Sequence, residues 1–350
     1  MHTASTDLDD VAWAARAYAQ DVMKAIVADR YGSPDVLAFE DRPVPRAGRT
    51  DILVEVMATS VTTAEWRMRA GDFGGGMALL GRLLMGITKP RQRTTGREFA
   101  GRVVEVGADV TRFSVGDDVF GTTSGANAEV IAVPQGSVVT TMPRGLSYAE
   151  AVSLPFGAIT ALSFLEDRAK VRAGERVLVI GASGGVGVYL VQVARALGAE
   201  VTGVCSGANA ELVRTLGATH TVDYRTVDIA SLPGPFDVVV DTVGKSSFRA
   251  FEPMLSPKGR HVFIEGGIRE LLQAVTTRFG SGPRVISGVA LDDLAGLERV
   301  RARVEAGQLR PVIGRRFPMA EVIDAHRLVE ARHKQGAVVL DFPGALSAVA

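Results

Sequence analysis

Two hydrophobic periodicities divide the chain. Between about residues 23 and 150, apolar positions recur at intervals of two in short runs. In Asp51-Ile-Leu-Val-Glu-Val56 the side chains of Ile52, Val54 and Val56 share one face, which predicts a half-buried strand. Met23-Lys-Ala-Ile-Val27 and the runs 101–106 and 118–120 predict further short strands. Val-Gly-Ala-Asp at 106–109 and Val-Gly-Asp-Asp at 115–118 read as turns. The expected unit is an irregular, mostly antiparallel β domain. Ahead of it, residues 1–22 read as an extension, whose alanine-rich run 11–22 predicts one helix.

The pattern changes after about Tyr148. A strand over 176–180 precedes a helix over 186–197, where Leu190, Val193 and Leu197 stand at helical spacing. Strands over 201–205, 221–224, 236–241, 260–264 and 285–289 then alternate with helices over 209–216 and 246–255. This alternation predicts an α/β unit with a doubly wound parallel sheet covered on both faces. Helices over 291–305 and 320–330 and a strand over 337–342 follow.

Composition narrows the function classes. At 350 residues two domains are the natural expectation. The 39 Lys and Arg balance 39 Asp and Glu, so the chain lacks the positive footprint of a general nucleic-acid or anionic-membrane binder. The single cysteine, Cys205, excludes an intrachain disulfide framework and a cysteine-rich structural zinc site. The apolar stretch 78–87 is broken by Arg82 and is too short to span a bilayer. With three aspartates in the first ten residues and no cationic leader, the chain reads as a cytoplasmic protein.

The strongest chemical motif is Val177-Leu-Val-Ile-Gly-Ala-Ser-Gly-Gly-Val-Gly187. Strand, glycine turn and helix follow in the order that a dinucleotide site needs. Ser183, Gly184, Gly185 and Val186 would bring backbone amides and the positive end of a helix to a pyrophosphate. The alternative is a tight βα turn without a ligand. At the end of the next strand, an NAD site places a carboxylate on the ribose hydroxyl. Here Ser206 stands in that place. The missing carboxylate permits a 2′-phosphate, to which a serine hydroxyl can donate. The competing reading is a serine that starts a turn.

With these residues in view, the sequence resembles the zinc-independent quinone oxidoreductases of the medium-chain dehydrogenase/reductase superfamily over about residues 23–343. Beside the glycine loop, the opening Met23-Lys-Ala-Ile-Val27, Gly96-Arg-Glu-Phe-Ala-Gly101, Gly116-Asp-Asp-Val-Phe-Gly121 and Arg332-His-Lys-Gln-Gly-Ala-Val-Val-Leu carry the likeness. It implies a GroES-like catalytic domain over 23–150 and 291–350, a Rossmann NADP-binding domain over 151–290, and an N-terminal extension over 1–22. Zinc-dependent relatives carry a histidine where this chain has Arg97, and an early cysteine that it lacks. The five histidines show no ligand spacing, so each reads as a surface or satisfied core residue. Without a Lewis acid, an activated acceptor suits the chain better than an ordinary alcohol.

The resemblance carries further residues one by one. Thr160 matches a cofactor-contacting threonine, against the alternative of a helix-interior threonine. Tyr224 matches a tyrosine beside the 2′-phosphate, against a merely structural strand-end tyrosine, and Arg332 an arginine that reaches the cofactor, against an exposed helix-end arginine. Ile264 and Val289 end strands whose backbone groups can face the nicotinamide. Thr62 stands where relatives often have asparagine. It is the candidate catalytic residue, its hydroxyl reaching nicotinamide or an enolate oxygen, unless it merely caps a helix. Relatives also carry a cation near Ala208 that this chain lacks. Trp66 reads as core, and the basic stretch from Arg82 to Arg97 as solvated surface. The implied activity is NADPH-dependent hydride transfer to a small quinone or α,β-unsaturated carbonyl, with no nucleic-acid or membrane partner. Homodimers are common in the family. The rival readings are a nicotinamide-nucleotide-binding protein with little turnover, and an alcohol dehydrogenase or enoyl-thioester reductase of the same superfamily.

Overall fold

A computed structural model describes residues 22–74 and 76–342. The helix expected over 11–22 lies outside them, apart from Val22, which opens the first strand.

Fifteen strands are described. The antiparallel part comprises β1 (Val22–Ala28), β2 (Leu37–Pro43), β3 (Asp51–Val61), β4 (Glu98–Val106), β5 (Asp118–Thr122), β6 (Val130–Pro134) and β7 (Val139–Thr141). The parallel series comprises β8 (Arg176–Ile180), β9 (Glu200–Cys205), β10 (His220–Asp223), β11 (Phe236–Asp241), β12 (Leu255–Phe263) and β13 (Arg284–Ser287). Two more, β14 (Ile313–Pro318) and β15 (Ala337–Asp341), end the series.

The sheet order β10-β9-β8-β11-β12-β13 is that of a Rossmann-type doubly wound sheet, with its switch point between β8 and β11. Val177, Leu178 and Val179 are wholly buried, as are Val238, Val239 and Val240, because helices cover both faces. The second sheet runs β14-β15-β3-β4-β5-β7, with β6 also paired to β3. It is antiparallel except for β14 against β15. The C-terminal strand β15 therefore returns to β3, from Val338 opposite Val61 to Asp341 opposite Ala58. The stretch just before it, 332–336, has to pass the mouth of the parallel sheet.

Several expected elements are shorter than their apolar pattern. The helix expected over 246–255 is one turn, Phe248–Phe251, followed by a 3-10 turn, Glu252–Met254. Pro253 cannot donate to a continued helix. The strand expected over 285–289 ends at Ser287, so Val289 lies beyond it. The helix expected around Thr160 spans Pro155–Leu162 and packs under the glycine turn, with Thr160 inside it rather than at its start. At Gly157 a Cβ would run into the Gly185 carbonyl oxygen, so only glycine lets the two backbones approach this closely.

Candidate active site

The turn after β8 is shaped by steric exclusion. Gly181 has φ +83° and its N–H donates to the Val204 carbonyl at 3.1 Å. Gly184 N–H donates back to the Gly181 carbonyl at 3.0 Å. A Cβ at Gly187 would clash with that carbonyl, which explains glycine at the first residue of the helix Gly187–Ala196. Above Gly184 the space is open, and a Cβ there would meet only the Gly181 carbonyl oxygen, at 3.3 Å. A helix N-terminus with free amides beside open space fits a diphosphate.

The opposite wall comes from the C-terminal segment. Gly336 N–H donates to the Ser183 carbonyl at 2.9 Å. Asn209 Nδ2 donates to Ser183 Oγ at 2.9 Å, and the Gln335 amide donates to Asn209 Oδ1. Lys334 stands over the turn, 2.9 Å from where a Gly185 Cβ would lie. Burial pulls its ammonium down to about 8, against the opposing pull of Glu98.

On the adenosine side, Ser206 caps the 3-10 turn Gly207–Asn209. A carboxylate does stand nearby, at the end of the neighbouring strand β10. Asp223 Oδ2 accepts from Gly207 N–H at 2.8 Å, and its Oδ1 from Arg225 N–H at 2.9 Å. Tyr224 is 45% exposed, with the Arg225 guanidinium 5.8 Å from its ring centre. Arg225 thus brings a cation to the side where Ala208 offers none.

Beyond the C-terminal ends of β11 and β12, a polar cleft of about 280 Å³ is bounded by Val243–Ser246, Gly266, Gly267, Arg67 and Arg332. Arg332 has φ +57°. Its guanidinium pairs with Glu265 at 3.3 Å and lies 5.7 Å from the Trp66 ring centre. Glu265 also pairs with Arg67 at 3.1 Å, so one carboxylate ties both arginines across the cleft. Ile264 follows β12 directly and its N–H donates to the Asp241 carbonyl at 3.0 Å. Val289 is 68% exposed and its carbonyl accepts from Arg168 at 2.6 Å, so that carbonyl is already engaged. Thr160 is buried, its hydroxyl donating to the Phe156 carbonyl one turn back at 2.7 Å.

Thr62 caps the helix Thr63–Ala70, accepting from Glu65 N–H at 3.2 Å. It is 4% exposed, and its own hydroxyl proton has no described acceptor. Behind it lies a buried acidic centre. Glu98 is 1% exposed and accepts from Ser60 Oγ at 3.0 Å. Burial pushes its carboxyl up to about 8, helped by the neighbouring Glu65 and opposed by Arg97. Arg97 is not free surface: it pairs with Asp292 at 2.7 Å. Arg93 likewise pairs with Asp29 and Glu40, so the basic stretch is only partly solvated.

The reading of every histidine as surface or satisfied core needs a correction at His326. It is wholly buried, and neither ring nitrogen has a hydrogen-bond partner among the described residues. Its Nε2 stands 3.7 Å from Glu65 Oε1, a long approach between two groups that burial would otherwise penalise. Trp66 is core, as expected.

Lys334, Glu265, Asp223 and Asn209 share this site and none was singled out from sequence. Asp223 had a signal, the last position of the third Rossmann strand beside Tyr224. The others depend on where the chain returns, which periodicity does not encode.

Among the described residues no helix is long and apolar enough to cross a membrane, and no cluster of three metal-ligating side chains occurs. An alcohol dehydrogenase GroES-like domain model matches residues 48–163, and a zinc-binding dehydrogenase model matches residues 216–340. The mitochondrial NAD(P)H oxidoreductase RTN4IP1 of Bos taurus is 33% identical, covering 91% of this chain and 89% of its own. The 2-methylene-furan-3-one reductase of Solanum lycopersicum is 30% identical over 91% of this chain and 79% of its own. The quinone oxidoreductase of Coxiella burnetii superposes with a TM-score of 0.80 at 28% identity, covering 91% of this chain and 99% of that one. With a Rossmann-type sheet, a GroES-like domain and these relatives, the chain belongs to the medium-chain dehydrogenase/reductase superfamily, in its zinc-independent quinone oxidoreductase type.

Proposed function

We propose that this oxidoreductase is an NADPH-dependent reductase of quinones or α,β-unsaturated carbonyls, working without zinc. The observation that carries the reading is the open glycine turn at the N-terminus of the helix Gly187–Ala196, faced by the segment 334–336. Bound NADPH would supply a hydride to the electron-poor carbon of the acceptor. The protein's part is positioning and electrostatics. The amides of Gly185, Val186 and Gly187 would hold the diphosphate, since that of Gly184 is engaged by Gly181. Ser206, Tyr224 and Arg225 surround the 2′-phosphate. The Thr62 hydroxyl donates to the oxygen that gains charge as the hydride arrives, and water supplies the proton. Similarity supports this reading through RTN4IP1, the tomato reductase and the Coxiella enzyme, whose names specify an NAD(P)H oxidoreductase, a furanone reductase and a quinone oxidoreductase.

The test is NADPH oxidation across quinones, enones and enoyl thioesters, before and after chelation. Turnover of a quinone or enone that survives chelation is the expected result. Failure with every acceptor, or stoichiometric zinc whose removal abolishes turnover, would overturn the reading.

Cofactor choice gives a second expected outcome. NADPH should bind about tenfold more tightly than NADH, because one charge-assisted phosphate contact is worth roughly 1.5–3 kcal/mol and Asp223 offsets part of it. Ser206→Asp adds an anion at the 2′-phosphate and should invert the preference. Dissociation constants for both nucleotides decide the matter, and equal values in the parent would place the adenosine elsewhere.

A further inference from the structure

We propose that Lys334 is the countercharge of the cofactor diphosphate. Its ammonium would complete, from the C-terminal segment, an anion site whose other half is the glycine turn. The proposal rests on the cofactor reading above and extends it to a residue that neither the motif nor the resemblance singled out.

The geometry separates Lys334 from Arg332, the residue that the resemblance sends to the cofactor. Arg332 is turned to Glu265 and the Trp66 ring. Lys334, two residues on, extends over the turn, 2.9 Å from the place of a Gly185 Cβ. Both residues line the cavity that holds Gly184, Gly185 and Val186, but the Arg332 guanidinium is paired there with Glu265, whereas Lys334 is not. The backbone that carries it is pinned to the turn. Gly336 N–H bonds the Ser183 carbonyl, and Gln335 reaches Ser183 through Asn209. The ammonium is therefore held over the amides that would cradle a diphosphate.

Its electrostatic situation points the same way. Among the described residues Lys334 makes one hydrogen bond, to the Gly336 carbonyl at 3.2 Å. A lysine ammonium carries three donors, so capacity remains. The acid whose field reaches it, Glu98, is itself held largely protonated at neutral pH by burial. A half-buried cation with donors to spare, placed over a helix N-terminus, suits a bound anion. Both NADPH and NADH bring a diphosphate there, so Lys334 should strengthen both alike without choosing between them. Choice stays at Ser206 and Tyr224, on the far end of the nucleotide.

The experiment measures dissociation constants of NADPH, NADH and 2′-AMP for the full-length parent, Lys334→Gln and Lys334→Arg. The fragment 2′-AMP keeps the adenosine phosphate and lacks the diphosphate. Lys334→Gln should weaken NADPH and NADH by the same factor, about 10- to 100-fold, and leave 2′-AMP unchanged. Lys334→Arg should stay within a few-fold of the parent for all three. An unaltered NADPH affinity in Lys334→Gln, or a loss that extends equally to 2′-AMP, would overturn the proposal while leaving the cofactor reading standing. A parent that binds no nucleotide would overturn both.

Discussion

Asp241→Ala is expected to lower stability by about 3–5 kcal/mol and to abolish NADPH binding at concentrations that saturate the parent. Asp241 ends β11, wholly buried, at the switch point of the parallel sheet. Its Oδ1 accepts N–H groups from Val243 at 2.8 Å and Gly244 at 2.9 Å. Its Oδ2 accepts from Lys245 at 2.9 Å, Ser246 at 2.7 Å and the Ser246 hydroxyl at 2.6 Å. Five donors thus converge on one carboxylate, and four of them are backbone groups of the loop that walls the cleft. Alanine would leave that loop without its organising acceptor, and each buried donor left unpaired costs about 1–3 kcal/mol before relaxation. Asp241→Asn keeps one acceptor oxygen and should cost about half as much. The same network fixes a tautomer. The Ser246 hydroxyl spends its proton on Asp241, so His261 Nε2, 2.9 Å away, must be the donor in that contact. Nδ1 is left bare, and burial holds the ring neutral by pulling its pKa down to about 4. Urea unfolding and nucleotide titration of both variants test the argument. An Asp241→Ala midpoint within error of the parent would refute it.

The parallel sheet was readable because its strands are covered on both faces, so segments such as 177–180 and 238–240 are continuous apolar runs bounded by turns. The antiparallel sheet was readable at β3, where Ile52, Val54 and Val56 enter one core cluster. The helix Pro155–Leu162 was legible only through the likeness at Thr160, since burial on all sides removes any polar face from its pattern. The helix Ile268–Thr277 does carry a signal, with Ile268, Leu271, Leu272 and Val275 at helical spacing, and the fold leaves Ile268, Leu272 and Val275 of that face exposed. Within the site, the turn 181–187 announces itself because adjacent residues build it. Its partners Asn209, Glu265 and Lys334 reach it only through the fold. Arg97 tells of a missing metal ligand, but its pairing with Asp292 is invisible until the C-terminal part packs against β4. The buried approach of His326 to Glu65 is of the same kind: two inconspicuous positions become a polar pair once the helix Val322–Glu330 covers the helix Thr63–Ala70.

Glu98→Gln is expected to stabilise the protein at alkaline pH by several kcal/mol, with the gain vanishing in acid. Glu98 lies on β4 with its carboxyl excluded from water, and burial is the main cause that lifts it from the ordinary carboxylate range to about 8. In the unfolded chain the same group ionises near roughly 4.3. Between those values the folded state keeps a proton that the unfolded state releases, so stability falls as pH rises. The loss begins near about pH 4.5 and is complete above about pH 8. At roughly 1.36 kcal/mol for each pH unit separating the folded and unfolded values, it reaches about 4–5 kcal/mol as an upper bound. Glutamine has nearly the shape of the protonated acid, can still accept from Ser60 Oγ, and carries no charge at any pH. The parent and Glu98→Gln should therefore unfold alike at about pH 4.5 and diverge steadily toward about pH 9. Lys334 contributes with the opposite sign in a higher window. Its ammonium is pulled down to about 8, so its burial penalty is relieved as pH rises from there toward 10.5. Removing the Glu98 charge also removes the field that supports that ammonium. The lysine should then lose its proton at lower pH in the variant, and NADPH affinity should begin to fall earlier on the alkaline side. Denaturant midpoints across that range, from about pH 4.5 to about pH 9, separate these effects from any local damage. A gap between the two proteins that is constant with pH would show that Glu98 is ionised in the fold throughout, with Arg97 rather than a proton neutralising it.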